Sequence, residues 1–153
     1  MTNTYTQLYV QIVIAVKGRE NLILERHRME LENYIREIAT KKNCKVLAIY
    51  CNPDHSHILV ELDSSISISN LIFYIKAYSS KYINENNWMP GVFDWQDGFG
   101  AFTYSKSQIN DLSKYILNQQ DHHKRKLFRE EFITILRNSE IDYDEQFLFE
   151  WYD

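Results

Sequence analysis

The order of strand-like and helix-like segments constrains the fold of this chain more than any other feature of its sequence. Short apolar, β-branched runs indicate strands, whereas longer stretches with apolar residues three and four apart indicate helices. The predicted order is strand 8–16, helix 22–42, strand 45–51, strand 56–62, helix 67–86, short strands near 92–96 and 101–104, and two further helices, about 107–119 and 123–138.

This order is typical of an α+β fold, the ferredoxin-like or RRM-like α/β plait. We therefore expect an antiparallel sheet with helices on one face and the other face open for a ligand. The helix predicted after the fourth strand carries Tyr115, so the plait gains a C-terminal tyrosine-bearing helix.

The charge of the chain is divided unevenly between its body and its C-terminal end. The net charge is −4, but residues 138–153 carry six acidic side chains and no Lys or Arg. Residues 1–137 are therefore mildly basic, and we predict one domain there, followed by an acidic C-terminal tail at 138–153. The negative total argues against a nucleic-acid partner, whereas a basic body permits local contact with a phosphate backbone. Charge alone leaves the partner open.

No apolar run approaches the roughly 20 residues that a membrane-spanning helix needs. The first six residues lack the basic-then-apolar layout of a signal peptide. We therefore expect a cytoplasmic protein with no membrane partner. In that compartment Cys44 and Cys51 are expected to be reduced thiols in the core, with a disulfide or a metal role as the alternative.

The segment Asp54-His55-Ser56-His57 lies in the third predicted strand. Because side chains alternate across a strand, His55 and His57 share one face, while Ser56 and Ile58 share the other. The more apolar set should face the helices, which leaves both imidazoles on the open face. Two neutral imidazoles on one face suit a divalent metal ion. The alternative is that they are ordinary surface or core histidines.

Tyr115 and Gln119 are four residues apart on the predicted third helix, so they lie on one face of it. If this face is turned toward His55 and His57, the site gains a nucleophile and a third metal ligand. The alternative is a packing tyrosine whose hydroxyl group finds a hydrogen-bond partner.

Three segments, in this order, carry a family resemblance: Asn52–Leu59, Trp95–Phe102 and Tyr115–Gln119. They resemble the single-tyrosine HUH transposases, which are the small transposases of insertion sequences that move as single strands, together with their REP-associated relatives. The resemblance extends over most of residues 5–137. Two positions depart from the family pattern. Ser56 stands where a bulky apolar residue is usual, and Gln11 stands where many relatives have a histidine.

The resemblance implies a metal-dependent transposase that cleaves and rejoins single-stranded DNA through a 5′-phosphotyrosine intermediate. Tyr115 would be the nucleophile. The metal ion would be Mg²⁺, with Mn²⁺ as a substitute, and its ligands would be His55, His57 and Gln119. The general base for Tyr115 is not identified by the sequence.

The partners implied by the resemblance are single-stranded DNA with hairpins at the ends of the element and a second copy of the chain in a homodimer. The predicted DNA-binding residues are basic: Lys17, Arg19, Lys76, Lys81, Lys124 and Arg125. Each is a solvated surface charge in the alternative interpretation. The aromatic side chains of the loop 88–100 either stack on unpaired bases or pack in the core.

Four other functions are alternative interpretations of the sequence. A domesticated REP-type endonuclease would keep the chemistry without moving an element, and a catalytically inactive module would bind single-stranded nucleic acid. An RNA-recognition module should present aromatic rings on the open face, where this chain has imidazoles. A zinc hydrolase is disfavoured because Gln119 is an unusual ligand for zinc.

Overall fold

Four strands form one antiparallel sheet in the computed structural model, which describes residues 4–123 and 126–152. The strands are β1 (Tyr9–Ala15), β2 (Lys45–Cys51), β3 (His55–Glu61) and β4 (Gly100–Tyr104). Their order across the sheet is β2-β3-β1-β4, and β1 pairs antiparallel with both β3 and β4. Every residue of β1 is buried, as expected for a central strand covered on both faces. The α/β plait predicted from the sequence is confirmed.

One face of the sheet is covered by the two long helices, α1 (Glu25–Lys41) and α2 (Ile68–Glu85). The strands contribute alternate side chains to this core, among them Ile12, Ile14 and Ile58. Ser67 caps the start of α2, because its side chain accepts a hydrogen bond from the backbone N–H of Asn70. Within the described ranges, no helix is both long and apolar enough to cross a membrane.

The second face of the sheet, here called the histidine face, carries His55, His57 and their neighbours in register on the adjacent strands. It is covered by α3 (Ile109–Leu117) and α5 (Phe128–Asn138), with the short helix α4 (Gln119–His123) following α3. The expectation that this face is open is therefore wrong for this structure. The physical reason is that the histidine face also carries apolar side chains, which must be buried. They include Val13, Leu59 and Phe102.

The C-terminal segment folds back on the body of the molecule. Phe149 and Trp151 pack against the aromatic side chains of α5. The side-chain amide of Gln96 forms two hydrogen bonds with the backbone of Glu150, one in each direction, at 3.0 and 2.7 Å. The predicted acidic tail thus combines charged residues that face solvent with apolar residues, among them Phe149 and Trp151, that pack against the domain.

Two local predictions differ from the structure. The short strand expected near Val92–Gln96 is wrong, since that segment contributes only an isolated bridge between Trp95 and Val16 to the pairing of the described residues. Phe93 is buried there, and its backbone N–H is satisfied by the side chain of Asn84 at 2.7 Å rather than by a neighbouring strand.

The helix boundaries after β4 also differ from the prediction. The helix predicted to start at about residue 107 is preceded by a capping box that Ser105 forms with Gln108. The third helix ends at Leu117 instead of continuing through Gln119, because the chain turns at Asn118. The last helix begins at Phe128, later than the predicted start at His123.

A glycine allows α5 to approach the sheet closely. A Cβ atom at Gly100 would lie 2.7 Å from Cε1 of Phe132 and 2.9 Å from Cε2 of Phe102. We expect Gly100→Ala to lower the free energy of unfolding by about 1–3 kcal/mol, the usual effect of overpacking. Urea denaturation measures this, with Gly91→Ala as the matched control because nothing lies within 4 Å of its Cβ position. Equal stabilities of the two variants would contradict the contact.

Both cysteines are free and buried, as predicted. Burial raises the pKa of the Cys51 thiol to about 12. Only the thiolate reacts with alkylating agents, so at pH 8 the reactive fraction of Cys51 is about 10⁻⁴. We expect iodoacetamide to label Cys51 at least about a hundredfold more slowly in the folded protein than in guanidinium chloride. Peptide mapping by mass spectrometry separates Cys51 from Cys44, and rapid labelling of the folded chain at Cys51 would refute the burial.

Candidate active site

The two histidines of β3 lie side by side on the histidine face, as the alternation predicted. Both imidazoles are fully buried, and their ring centroids are 5.0 Å apart in an edge-on arrangement. The strand pairing places Val13 opposite His57 and Ala15 opposite His55, so small and branched side chains of β1 leave room for the rings. Phe128 of α5 stacks on His55 with 3.7 Å between ring centroids. The rings are thus held between the sheet and α5.

A carboxylate that sequence reasoning missed lies between the two imidazoles. Oε1 of Glu131 is 3.2 Å from Nε2 of His55 and 3.0 Å from Nε2 of His57. The candidate ligand atoms of these three residues all lie within 4.8 Å of one another. A signal existed in the sequence: Glu131 interrupts the apolar stripe of α5, which Phe128 and Phe132 define. An acidic residue at a buried helix position needs partners, and these are the partners.

Tyr115 and Gln119 both reach the same carboxylate. The Tyr115 hydroxyl donates a hydrogen bond to Oε2 of Glu131, and Nε2 of Gln119 donates to that oxygen at 3.1 Å. They do not share one continuous helix, since Tyr115 lies on α3 and Gln119 begins α4. The amide oxygen of Gln119 accepts a hydrogen bond from Nδ2 of Asn52 at 3.0 Å. Although the chain turns at Asn118, Tyr115 and Gln119 both lie beside the histidines, as predicted.

Each imidazole has a different partner at its other ring nitrogen. Nδ1 of His55 is 2.7 Å from a carboxylate oxygen of Asp54, whereas Nδ1 of His57 is 2.8 Å from the amide oxygen of Gln11. Gln11 in turn donates from Nε2 to the hydroxyl of Tyr104 at 2.8 Å. Because both Nδ1 atoms are engaged, both Nε2 atoms are directed toward Glu131.

Burial and local charge act against each other in this cluster. Burial alone would raise the pKa of Glu131, but its hydrogen bonds with His55 and His57 outweigh burial and hold that pKa far below its usual value. Burial would lower the pKa of His55, yet the hydrogen bonds to Asp54 and Glu131 leave it raised. The pKa of His57 is lowered by burial. The carboxylate is therefore ionised in this arrangement.

The nucleophile candidate is held in its protonated form. Burial, together with the negative charge of Glu131, raises the pKa of Tyr115 well above that of a free phenol. A protonated phenol beside an ionised carboxylate forms a strong hydrogen bond, which fixes the position of the Tyr115 oxygen.

The donor set fits a divalent metal ion. Two imidazole nitrogens suit transition metals and zinc, and a carboxylate oxygen supplies the hard ligand that Mg²⁺ and Mn²⁺ prefer. The hydrogen bonds of Asp54 and Gln11 to the outer nitrogens are the kind of contact that orients histidine ligands toward a metal. The residues placed to hold such an ion are therefore His55, His57 and Glu131, with Gln119 adjacent.

The predicted DNA-binding residues occupy different environments. Lys17 and Arg19 are exposed just beyond the end of β1 that pairs with His55. Lys76 is half-buried and donates to two backbone carbonyl groups, those of Gln96 and Gly98, at 2.8 and 2.7 Å. Lys81 is exposed on α2. Lys124 and Arg125 lie outside the described residues.

The aromatic side chains of the loop 88–100 are divided between the two predicted roles. Phe93 and Trp95 are buried in the core between the sheet and α2, so the packing alternative is confirmed for them. Trp88 stacks on His27 with 4.1 Å between ring centroids. Phe99 is 40% exposed and is the ring of this set that is most available to a ligand.

The comparisons with known proteins show the family to which this plait and its buried histidine–carboxylate–tyrosine cluster belong. The family model for the IS200-like transposases matches residues 4–119. The chain belongs to this transposase family. The match ends before α5, so Glu131 lies beyond the matched residues.

Individual relatives support the same assignment. The chain is 29% identical over 120 residues to the transposase for insertion sequence element IS200 of Salmonella typhimurium, covering 71% of this chain and 76% of the relative. It is 23% identical over 122 residues to the ISDra2 transposase TnpA of Deinococcus radiodurans, covering 75% and 86%. A solved structure of a REP-associated tyrosine transposase bound to a REP hairpin has the same fold, with a TM-score of 0.60, 15% identity, and coverage of 80% and 73%.

Proposed function

We propose that this transposase cleaves and rejoins single-stranded DNA through a 5′-phosphotyrosine at Tyr115, with a divalent metal ion at the two histidines. The observation that carries the proposal is the single carboxylate of Glu131. One of its oxygens contacts both His Nε2 atoms, and the other accepts the hydroxyl hydrogen of Tyr115. A nucleophile and a set of metal-binding donors thus meet at one residue.

The reaction follows from the position of Tyr115. Its phenol oxygen attacks the phosphorus of a phosphodiester, a new O–P bond forms, and the bond from phosphorus to the 3′ oxygen breaks. The products are a 5′-phosphotyrosine and a free 3′-hydroxyl, and attack by a second 3′-hydroxyl reverses the step and rejoins DNA. No external energy source is needed, because the phosphotyrosine retains the energy of the phosphodiester bond.

Glu131 is the group in place to take the phenol proton. Its Oε2 atom already accepts the hydrogen bond from Tyr115. With the raised pKa of Tyr115 and the lowered pKa of Glu131, the proton stays on the phenol before substrate binds. Proton transfer therefore accompanies O–P bond formation, during which the phenol becomes more acidic.

The metal ion proposed is Mg²⁺, with Mn²⁺ as a substitute, held by His55, His57 and Glu131. The role of Gln119 as third ligand, predicted from the sequence, remains an alternative that the Glu131 variants described below distinguish. When bound, the ion supplies polarisation of the scissile phosphate and stabilises charge on the leaving oxygen.

The DNA partner is proposed to be a single strand with a hairpin. The support is the family membership and the solved relative that is bound to a REP hairpin. Lys17 and Arg19 are the best-placed of the predicted basic residues, since they lie at the end of the sheet that carries His55. A homodimer, which the family resemblance implies, is also part of the proposal. A single chain already brings Tyr115, Gln119 and both histidines together.

The test is incubation of the protein with single-stranded DNA carrying hairpins from candidate element ends, in Mg²⁺ or Mn²⁺, followed by a denaturing gel. We expect a covalent adduct that contains the DNA labelled at its 3′ end, and release of the 5′-labelled fragment with a free 3′-hydroxyl. EDTA and fully duplex DNA should both prevent the adduct. Tight single-strand binding with no adduct over many end sequences would favour an inactive binding module instead.

A further inference from the structure

The two histidines of the site are supported by chemically different partners. Asp54, which holds Nδ1 of His55, is a carboxylate next to it in the chain, whereas Gln11, which holds Nδ1 of His57, is a neutral amide from β1. Gln11 is only 1% exposed, on a central strand whose other residues are apolar apart from Tyr9. A buried amide in such a strand is costly unless its hydrogen bonds are made.

The hydrogen bonds of Gln11 determine which ring nitrogen of His57 is available to a metal ion. Its Nε2 donates to the Tyr104 hydroxyl at 2.8 Å, and this contact turns the amide oxygen toward His57. An amide oxygen only accepts, so its partner must be an N–H group. When a metal ion is bound, the proton of His57 therefore lies on Nδ1, and the lone pair of Nε2 is directed at the ion, at the point where the metal donors converge.

We propose that Gln11 is a positioning residue that commits His57 to bind the metal through Nε2, with Tyr104 anchoring its amide. This inference rests on the proposed metal site. Both Gln11 and Tyr104 lie on the histidine face, on strands that flank each other in register. Through the hydrogen bonds from Gln11 to Tyr104 and to His57, the position of the edge strand β4 therefore affects the orientation of His57 as a metal ligand.

The experiment measures Mn²⁺ affinity by electron paramagnetic resonance of the free ion, without DNA, in wild type and three variants. Gln11→Met keeps the size of the side chain but removes the acceptor, and we expect affinity to fall by about 10- to 100-fold. Gln11→Glu keeps an acceptor in the same place, and we expect affinity equal to or higher than that of wild type. Tyr104→Phe frees the amide to rotate, so its affinity should lie between those of wild type and Gln11→Met.

A spectroscopic measurement accompanies the affinities. With Zn²⁺ as a diamagnetic probe and ¹⁵N-labelled histidine, the ring N–H of His57 should be found on Nδ1 in wild type and in Gln11→Glu. Because zinc on Nε2 leaves the proton on Nδ1 in any case, the wild-type spectrum reports which ring nitrogen of His57 binds the ion. Zinc on Nδ1 would overturn the inference even if Gln11→Met fails to fold.

The outcomes separate the inference from the proposed function. If wild type binds Mn²⁺ and Gln11→Met binds it with an affinity within about twofold of wild type, the proposed role of Gln11 is overturned. The metal site itself would stand. A Gln11→Glu variant as weak as Gln11→Met would show that the acceptor is not what matters. If wild type binds neither Mn²⁺ nor Zn²⁺ at the histidines, the metal site itself fails and this inference fails with it.

Discussion

Replacing Tyr115 with Phe is expected to abolish the covalent protein–DNA adduct and all strand cleavage. The change removes the one atom that forms the bond to phosphorus, so the rate should fall by at least about 10³-fold, as is usual when a nucleophile is deleted. The ring itself is retained, and its edge-on contact with His57 should keep the fold of the site unchanged. Adduct formation on a denaturing gel measures the effect.

The control for this substitution is Tyr5→Phe, which also removes one hydroxyl group but from a side chain that is 93% exposed. We expect it to form adduct at the wild-type rate. Single-strand binding, followed by fluorescence anisotropy, should be similar in both variants because the hydroxyl group is not needed for binding. Adduct persisting in Tyr115→Phe would mean that another side chain attacks, and the proposed mechanism would have to be abandoned.

The second large effect is expected from Glu131→Gln. The variant keeps the shape of the side chain but removes the negative charge between the two imidazoles. It also places an N–H group within reach of nitrogens that must bind a cation. We expect Mn²⁺ affinity to fall about 100-fold and adduct formation to fall with it. Glu130→Gln, an exposed position on the same helix, is the matched control and should behave as wild type.

The same measurement distinguishes the two candidates for the third ligand. Gln119 was predicted from the sequence, and in the structure its amide is hydrogen bonded to both Glu131 and Asn52. If Glu131→Gln binds Mn²⁺ as wild type does while Gln119→Met loses it, Gln119 is the ligand and Glu131 acts elsewhere. The reverse pattern identifies Glu131, and loss in both variants indicates that the ion needs the pair.

Much of the sheet and its ordering could be predicted from the sequence because the determining signals are local. The strand 45–51 has the predicted bounds, and β1 and β3 differ from the prediction by one residue at each end. The alternation along β3 was sufficient to place His55 and His57 on one face. These features depend on neighbouring residues along one element, and a single sequence contains that information.

The remainder of the site depends on contacts between distant parts of the chain. Glu131 reaches the histidines only because α5 packs across the histidine face, and this packing requires Gly100 and the folded-back aromatic residues Phe149 and Trp151. The helical spacing of apolar residues in α5 predicts that Glu131 is buried. It does not identify the residues that Glu131 contacts. The turn at Asn118 is accompanied by similar long-range contacts, since Gln119 donates a hydrogen bond to Glu131 of α5 and accepts one from Asn52 between β2 and β3.

The complete burial of both imidazoles has a consequence for access to the site. Phe149 and Trp151 pack against α5, which covers the two rings. A ligand that reaches the Nε2 atoms therefore requires a local opening of this cover, and the free energy of that opening is subtracted from the free energy of binding. Because α5 also carries Glu131, the cover must close again before the carboxylate can act on Tyr115.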